Sequence, residues 1–367
     1  MKRLMLIIPT LDRGGAEKQL TMLATGLPRD QFDVHVCLLT RGGPLQETLR
    51  AHDIPIIEIR KRRKLDPLAY LRLKKEIKRL RPDIVHTWIF AANSYGRSAA
   101  QAVKVPHIIC GERCVDPWKQ GYELAIDRYL DRKTDKIAVN SSGVEQFYVE
   151  KGRDPSKFVV IPNGINSTPP KPELSREQLL RQLDLPYDAR LLLAVGRLWP
   201  QKRLKDLIWS IDILGRIRQD CHLLIVGDGP QRERLEKYAR QTNTHRNVHF
   251  LGARNDVPQL LAHADCFLLA SGYEGQSNAL MEAMVAGVPV VASDIPGNRD
   301  LVVPEKTGYL VPLGQRAEYS RFVNFVLDDD DLRQRLGQAA QERIAAEFSI
   351  PQMIERHVDL YNEVTSA

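Results

Sequence analysis

Short apolar runs ending at polar or glycine-containing turns recur from the first residues onward, and they alternate with stretches whose apolar positions fall at helical spacing. Runs at 3–9, 33–40, 55–60, 83–88, 107–112, 136–141 and 158–165 predict strands, and 16–27, 67–81 and 142–151 predict amphipathic helices between them. The alternation stops at Thr168-Pro-Pro-Lys-Pro172, which is too rich in proline to continue either element. It restarts with strands expected at 191–197, 222–227, 248–252, 266–271 and 289–294. Apolar strands alternating with helices make a parallel sheet covered on both faces. The fold class is therefore α/β: two Rossmann-like doubly wound parallel-sheet domains in series, facing a cleft outside the carboxyl ends of their strands. The expected bounds are 1–166 for the first domain, 167–190 for a linker and the start of the second, 191–350 for the second domain, and 351–367 for an amphipathic terminal segment.

A length of 367 residues exceeds what one hydrophobic core organises and agrees with two domains of about 150 to 200 residues. Hydrophobic, charged and aromatic fractions of 43%, 27% and 7% exclude disordered and fibrous classes. No run approaches the about 18 continuous apolar residues of a membrane helix, and the apolar start stops at Pro9, too early for a signal peptide. A cytoplasmic chain is expected. Its five cysteines lack paired metal spacing and suit free thiols in a reduced compartment.

Charge changes the picture more than composition does. Residues 1–165 hold 29 Lys/Arg against 19 Asp/Glu, whereas 166–367 hold 24 against 27. Between 60 and 81 lie eleven basic and two acidic residues, including Lys74, Lys75, Lys78 and Arg79 on the predicted helix. Such a stretch attracts an anionic surface, or it is simply a solvated helix face. Few aromatics interleave with these charges, so nucleic acid is not expected, and the partner favoured is the anionic inner face of a membrane, bound peripherally.

Ligands of doubly wound sheets sit where strands end and helices begin, because helix N-termini present free N–H groups and a positive dipole end. No G-x-G-x-x-G follows the first strand and no Gly-Lys of a phosphate-binding loop occurs, which weakens dehydrogenase and kinase readings, and His-Glu-x-x-His is also absent. Three other loops carry candidate chemistry. Gly14-Gly15-Ala-Glu17 opens a helix directly after the first strand, although a tight turn with no ligand would use the same residues. Gly196-Arg197 to Lys202 follows the first strand of the second domain, and its two cations can turn toward one phosphate group. Ser271-Gly-Tyr-Glu274-Gly275-Gln276-Ser277-Asn278 leads into a helix carrying Glu282, whose carboxylate suits the paired hydroxyls of a ribose or a structural ion pair.

Together these residues resemble the family 4 retaining glycosyltransferases, which have the two-Rossmann GT-B fold. The resemblance runs through the Gly14-Gly15-Ala-Glu17 loop, Val159-Ile-Pro-Asn-Gly164-Ile, Gly196-Arg197 with Lys202, Val226-Gly-Asp-Gly-Pro230, and Glu274 with Glu282 seven residues beyond its neighbour, followed by Ala286-Gly-Val-Pro-Val-Val-Ala292. It implies that Gly14 and Gly15 adjoin the donor, Arg197 and Lys202 bind its diphosphate, Glu274 with Gly275, Gln276, Ser277 and Asn278 holds its sugar, and Glu282 binds ribose. Arg197, Lys202, Glu274 and His86 would be the catalytic set. His86 resembles the family's histidine near the donor sugar, or it is a satisfied histidine at a strand end. By the same resemblance the acceptor belongs to the first domain, where Trp88, Arg113 and Trp118 follow strands, and the last helix crosses back to that domain. Both tryptophans are also candidates for core packing. Gln276-Ser277 departs from the commoner aromatic or leucine followed by glycine or proline, so sugar specificity does not carry over.

The implied activity is transfer of a hexose-type sugar from a nucleotide diphosphate sugar, UDP expected first, to a lipid-linked or cell-envelope glycan. No metal and no further cofactor are expected. A nucleotide-sugar epimerase on the same fold, or a basic protein binding membrane or nucleic acid, are the alternatives.

Overall fold

A computed structural model of the chain describes residues 1–12, 14–119 and 121–366. Contacts divide it into two compact units, the first comprising Met1–Gly164 together with the segment from Ile350 onward, the second Ile165–Ser349.

The first unit carries seven strands, β1 (Lys2–Ile8), β2 (Phe32–Leu38), β3 (Ile56–Glu58), β4 (Ile84–Trp88), β5 (His107–Glu112), β6 (Lys136–Val139) and β7 (Phe158–Val160). They form one sheet in the order β3-β2-β1-β4-β5-β6-β7, with every pairing parallel. Leu4 to Ile8 of β1 are wholly buried, as a strand with helices on both faces must be. The helix Pro67–Leu80 shows how local sequence sets an element: Asp66 accepts the Ala69 amide at its start, Pro67 takes the first position, Ala69, Leu73 and Ile77 form the buried stripe, and Arg81 in left-handed conformation ends it. A helix Ile350–Ser366 completes this unit by burying Met353, Leu360, Tyr361 and Val364 in the core around β1 and β2. Lys2 fastens it, donating to Asn362 Oδ1 at 2.8 Å and Thr365 Oγ1 at 2.6 Å.

The second unit repeats the design with β8 (Arg190–Val195), β9 (Cys221–Val226), β10 (Val248–Gly252), β11 (Cys266–Leu269), β12 (Val290–Ser293) and β13 (Gly308–Val311) in the order β10-β9-β8-β11-β12-β13. In each sheet the order reverses beside its first strand, between β1 and β4 and between β8 and β11. A crevice opens at such a reversal because the flanking connections leave on opposite faces.

Three strands differ most from the sequence reading. β7 stops at Val160 instead of reaching 165, since Pro162 has no amide to extend the ladder; Ile165 instead donates its amide to Phe348 O at 2.9 Å. β3 spans three residues of the six expected, and β13, absent from the expected set, pairs at the sheet edge beside β12. Cys37, Cys110, Cys221 and Cys266 are buried free thiols.

Candidate functional site

The loops after β8 and β11 flank the strand-order reversal of the second unit, and they meet there. Lys202, in a one-turn helix Pro200–Lys202 after β8, places Nζ 2.5 Å from Glu274 Oε1 in the loop after β11, with the side chains 17% and 11% exposed. Gln201 staples the two loops, its Nε2 donating to Tyr273 O at 2.7 Å while its own carbonyl accepts the Gly272 amide at 2.8 Å. Behind them, Ser293 Oγ donates to Ser271 O at 2.6 Å, and Asn298 Nδ2 donates to Ser293 O at 2.9 Å. Gly297 is needed for this packing, because a Cβ there would lie 1.9 Å from Gly275 O. Gly227, at φ 133°, lets the turn after β9 pass against Gly196, where a Cβ would meet Gly196 O at 2.0 Å. Gln201, Ser293, Asn298 and Gly297 were not singled out from the sequence, since a residue that only orients another carries no composition signal.

The helix Asn278–Val285 begins at the end of this loop, capped by Ser277, whose side chain accepts the Leu280 amide. Its first turn therefore points amides toward the loop that holds Glu274. Gln276 and Ser277 are buried, Gly275 is buried, and Glu282 is half-buried one turn further along. Arg197 is exposed with its guanidinium 5.5 Å from the Trp199 ring, and among the described residues no carboxylate pairs with it. The sequence reading gave Lys202 and Glu274 separate ligand contacts; the structure makes them partners of each other as well.

In the first unit Gly14 precedes the helix Gly15–Gly26, which starts without a side-chain cap. His86 lies on β4, wholly buried, with Nδ1 2.9 Å from Tyr361 Oη and its ring against Trp88, His357 and Tyr361. Burial drives its protonation well below the ordinary histidine range. It is thus a neutral core histidine whose partner comes from the terminal helix. Trp88, considered as a stacking platform, is also wholly buried, stacked on His357 at 6.1 Å with the Arg113 guanidinium 4.6 Å from its ring, so it presents no free face. Arg113 is 8% exposed and donates from Nη2 to Asn163 Oδ1, while its Nε and Nη1 have no hydrogen-bond partner. Burial lowers its guanidinium to about 9. Trp118, in contrast, is 54% exposed, edge-on to Phe90 at 5.7 Å. Trp88 and Arg113 are brought together; Trp118 stands apart from them, beside Phe90.

Sequence reasoning also missed a buried ionic network. Arg97, with no exposed surface, donates to Asp127 and Asp131 at 2.6 Å each; Lys119 reaches Asp127 at 3.0 Å, and Arg153 reaches Glu112 and Asp131 at 2.8 Å. The signal available was Arg97 amid Ser94-Tyr-Gly-Arg97-Ser-Ala-Ala100, a charge on a small-residue helix that must be buried and therefore paired. Among the described residues, no group of three or more His, Cys, Asp or Glu is arranged to hold a metal ion.

Two doubly wound units, the second with a cation and a carboxylate meeting at its strand-order reversal, define an α/β protein with its candidate ligand site at that reversal. The second unit matches the family model for group 1 glycosyl transferases over residues 175–343, and the first matches glycosyltransferase family 4 over residues 13–168. The chain belongs to the group 1 glycosyltransferases and has their GT-B fold. The chain is similar to the UDP-Gal:alpha-D-GlcNAc-diphosphoundecaprenol alpha-1,3-galactosyltransferase of Escherichia coli, 29% identical over 353 residues covering 91% of this chain and 90% of that protein. It is also similar to the lipopolysaccharide core biosynthesis glycosyltransferase LpsE of Rhizobium meliloti, 24% identical, covering 80% and 79%. Among solved structures, Anabaena HepE in complex with UDP and glucose superposes with a TM-score of 0.88 at 21% identity, covering 99% of this chain and all of that one.

Proposed function

We propose that the chain is a retaining, metal-independent glycosyltransferase that moves a hexose-type sugar from a UDP-sugar to a hydroxyl of a lipid-linked or cell-envelope glycan. The observation that carries this reading is the Lys202–Glu274 pair across the reversal between β8 and β11, the place where an open α/β sheet takes its ligand. Without substrate the two groups satisfy each other. A nucleotide diphosphate sugar offers phosphate oxygens to Lys202 and sugar hydroxyls to Glu274, so each retains a charged contact.

Arg197 adds a second cation on the same loop, and Glu282 takes the ribose hydroxyls. As the bond between the anomeric carbon and the phosphate oxygen breaks, negative charge grows on the departing diphosphate, and Lys202 and Arg197 hold positive potential against it. The acceptor oxygen bonds to the anomeric carbon on the face the phosphate leaves, and its proton passes to the departing phosphate oxygen. A separate base is then unnecessary. The UDP-Gal and diphosphoundecaprenol in the name of the Escherichia coli relative, and the UDP and glucose bound to HepE, support this choice of donor and acceptor class.

The test pairs thermal stabilisation by UDP with transfer from UDP-hexoses to a diphospholipid-linked sugar. Lys202→Ala is expected to slow transfer by about 100-fold, and Glu282→Ala to weaken UDP binding by about tenfold or more, with chelator leaving the wild-type rate unchanged. Unaltered transfer and UDP binding in both variants would sink the reading, as would isomerisation of the donor sugar with no acceptor present.

A further inference from the structure

The basic stretch lies on a surface that also exposes apolar residues, which its sequence alone does not show. Leu65, Leu68 and Leu71 are 82%, 67% and 57% exposed at and just before the start of the Pro67–Leu80 helix. Leu68 and Leu71 stand on the face away from the buried stripe of Ala69, Leu73 and Ile77. A second exposed face lies on the helix Gly121–Asp131, where Tyr122, Ile126 and Tyr129 recur at helical spacing and are 50%, 41% and 65% exposed. The two faces adjoin, since Lys64 donates to Tyr122 Oη at 3.0 Å and lies over its ring. Between the loop and β3 runs a groove of about 1130 Å³ lined by Arg60, Arg62, Arg63, Arg72, Leu65 and Leu68 among others. The acidic residues nearby are committed: Asp66 caps the helix, Glu58, which also lines the groove, pairs with Arg60 at 3.3 Å, and Glu76 pairs with Arg79. Among the described residues no carboxylate pairs with Arg62, Arg63, Lys75 or Lys78.

We infer that this surface docks the protein on an anionic phospholipid bilayer, with Leu65, Leu68 and Leu71 entering the headgroup-acyl boundary, Tyr122 and Tyr129 at headgroup level, and the arginine-lined groove taking lipid phosphates. Exposed leucines flanked by unpaired cations fit a partner that is apolar beneath a negatively charged surface. Tyrosine, apolar in its ring and polar at its tip, suits the layer between. A nucleic acid would satisfy the cations but leave the leucines in water. No helix among the described residues is long and apolar enough to cross a membrane, so the attachment is peripheral. Both helices start at the carboxyl edge of the first sheet, the edge from which a doubly wound domain meets its ligands. A lipid-linked acceptor would thus arrive beside the docking face; that last consequence rests on the proposed transfer reaction, the docking itself does not.

Flotation of the full chain with vesicles of pure phosphatidylcholine, and of phosphatidylcholine mixed with an equal amount of phosphatidylglycerol, tests this. Binding to the mixed vesicles only is expected. Arg62→Gln with Arg63→Gln and Lys75→Gln should lower partitioning on the order of 100-fold at low salt. Leu65→Ser with Leu68→Gln and Leu71→Gln should abolish the part of binding that survives high salt. Thermal melting and UDP-induced stabilisation, measured on the same samples, should be unchanged in both variants, which keeps failure of docking distinct from failure of the transferase reading. Wild-type protein that stays unbound to mixed vesicles, or that binds duplex DNA as tightly as those vesicles, overturns the inference.

Discussion

At the scale of single residues, two buried histidines make the first unit sensitive to acid. His357 donates Nδ1–H to Met353 O at 2.8 Å, and burial holds its proton affinity down to about 3; His86 beside it is also lowered well below the ordinary value by burial. Both are neutral in the folded state and take up protons when unfolded. Their stabilisation is therefore present above the unfolded value near 6.5 and is lost as pH falls below it, at up to about 1.4 kcal/mol per pH unit for each histidine. Asp116, raised to about 6 by burial and by nearby Glu112, opposes this between its ordinary value and 6, but it is one group against two. Melting followed from pH 7 to 5 should fall steeply in the wild type and less so in His357→Gln; parallel profiles would refute the assignment. From the sequence His86 could be either a donor-site histidine or a satisfied one at a strand end, and its partner was not legible because that partner is a tyrosine 275 residues away.

Among elements, helix packing around the sheet of the first unit relies on charge where apolar contact would be usual. Arg97 on the helix Ile89–Ala102 ties down Asp127 and Asp131 on the helix Gly121–Asp131, and Lys119 and Arg153 close the network. Removing one member leaves the others buried and uncompensated, so Asp127→Ala should cost about 3–5 kcal/mol in denaturant unfolding. Glu47→Ala, which breaks an exposed pair with Arg50, should leave the midpoint unchanged. Equal effects in the two variants would show that the network is not under load. The strands were readable because a doubly covered strand must be continuously apolar; the network was not, because its partners come from two helices, strand β5 and two loops.

For the whole molecule, the segment after Ser349 belongs to the first unit despite lying at the far end of the chain. It supplies Tyr361 against Phe32 at 5.6 Å and closes the core over β1 and β2. A chain ending at Ser349 should lose hydrogen-exchange protection in β1 and β2 while β8 and β9 keep theirs. Retained protection in β1 would mean the first core is complete without it. Periodicity, glycine loops and charge determined by themselves two doubly wound domains, the loops that carry Lys202 and Glu274, and a basic stretch, because each is a local pattern that the backbone must obey wherever it folds. Which strand-end residues are buried, that Lys202 and Glu274 pair, that Gln201 and Asn298 orient them, and that leucines and tyrosines from two helices share one face were decided only by tertiary structure, since contacts between distant segments are set by how helices and strands pack and leave no period in the chain.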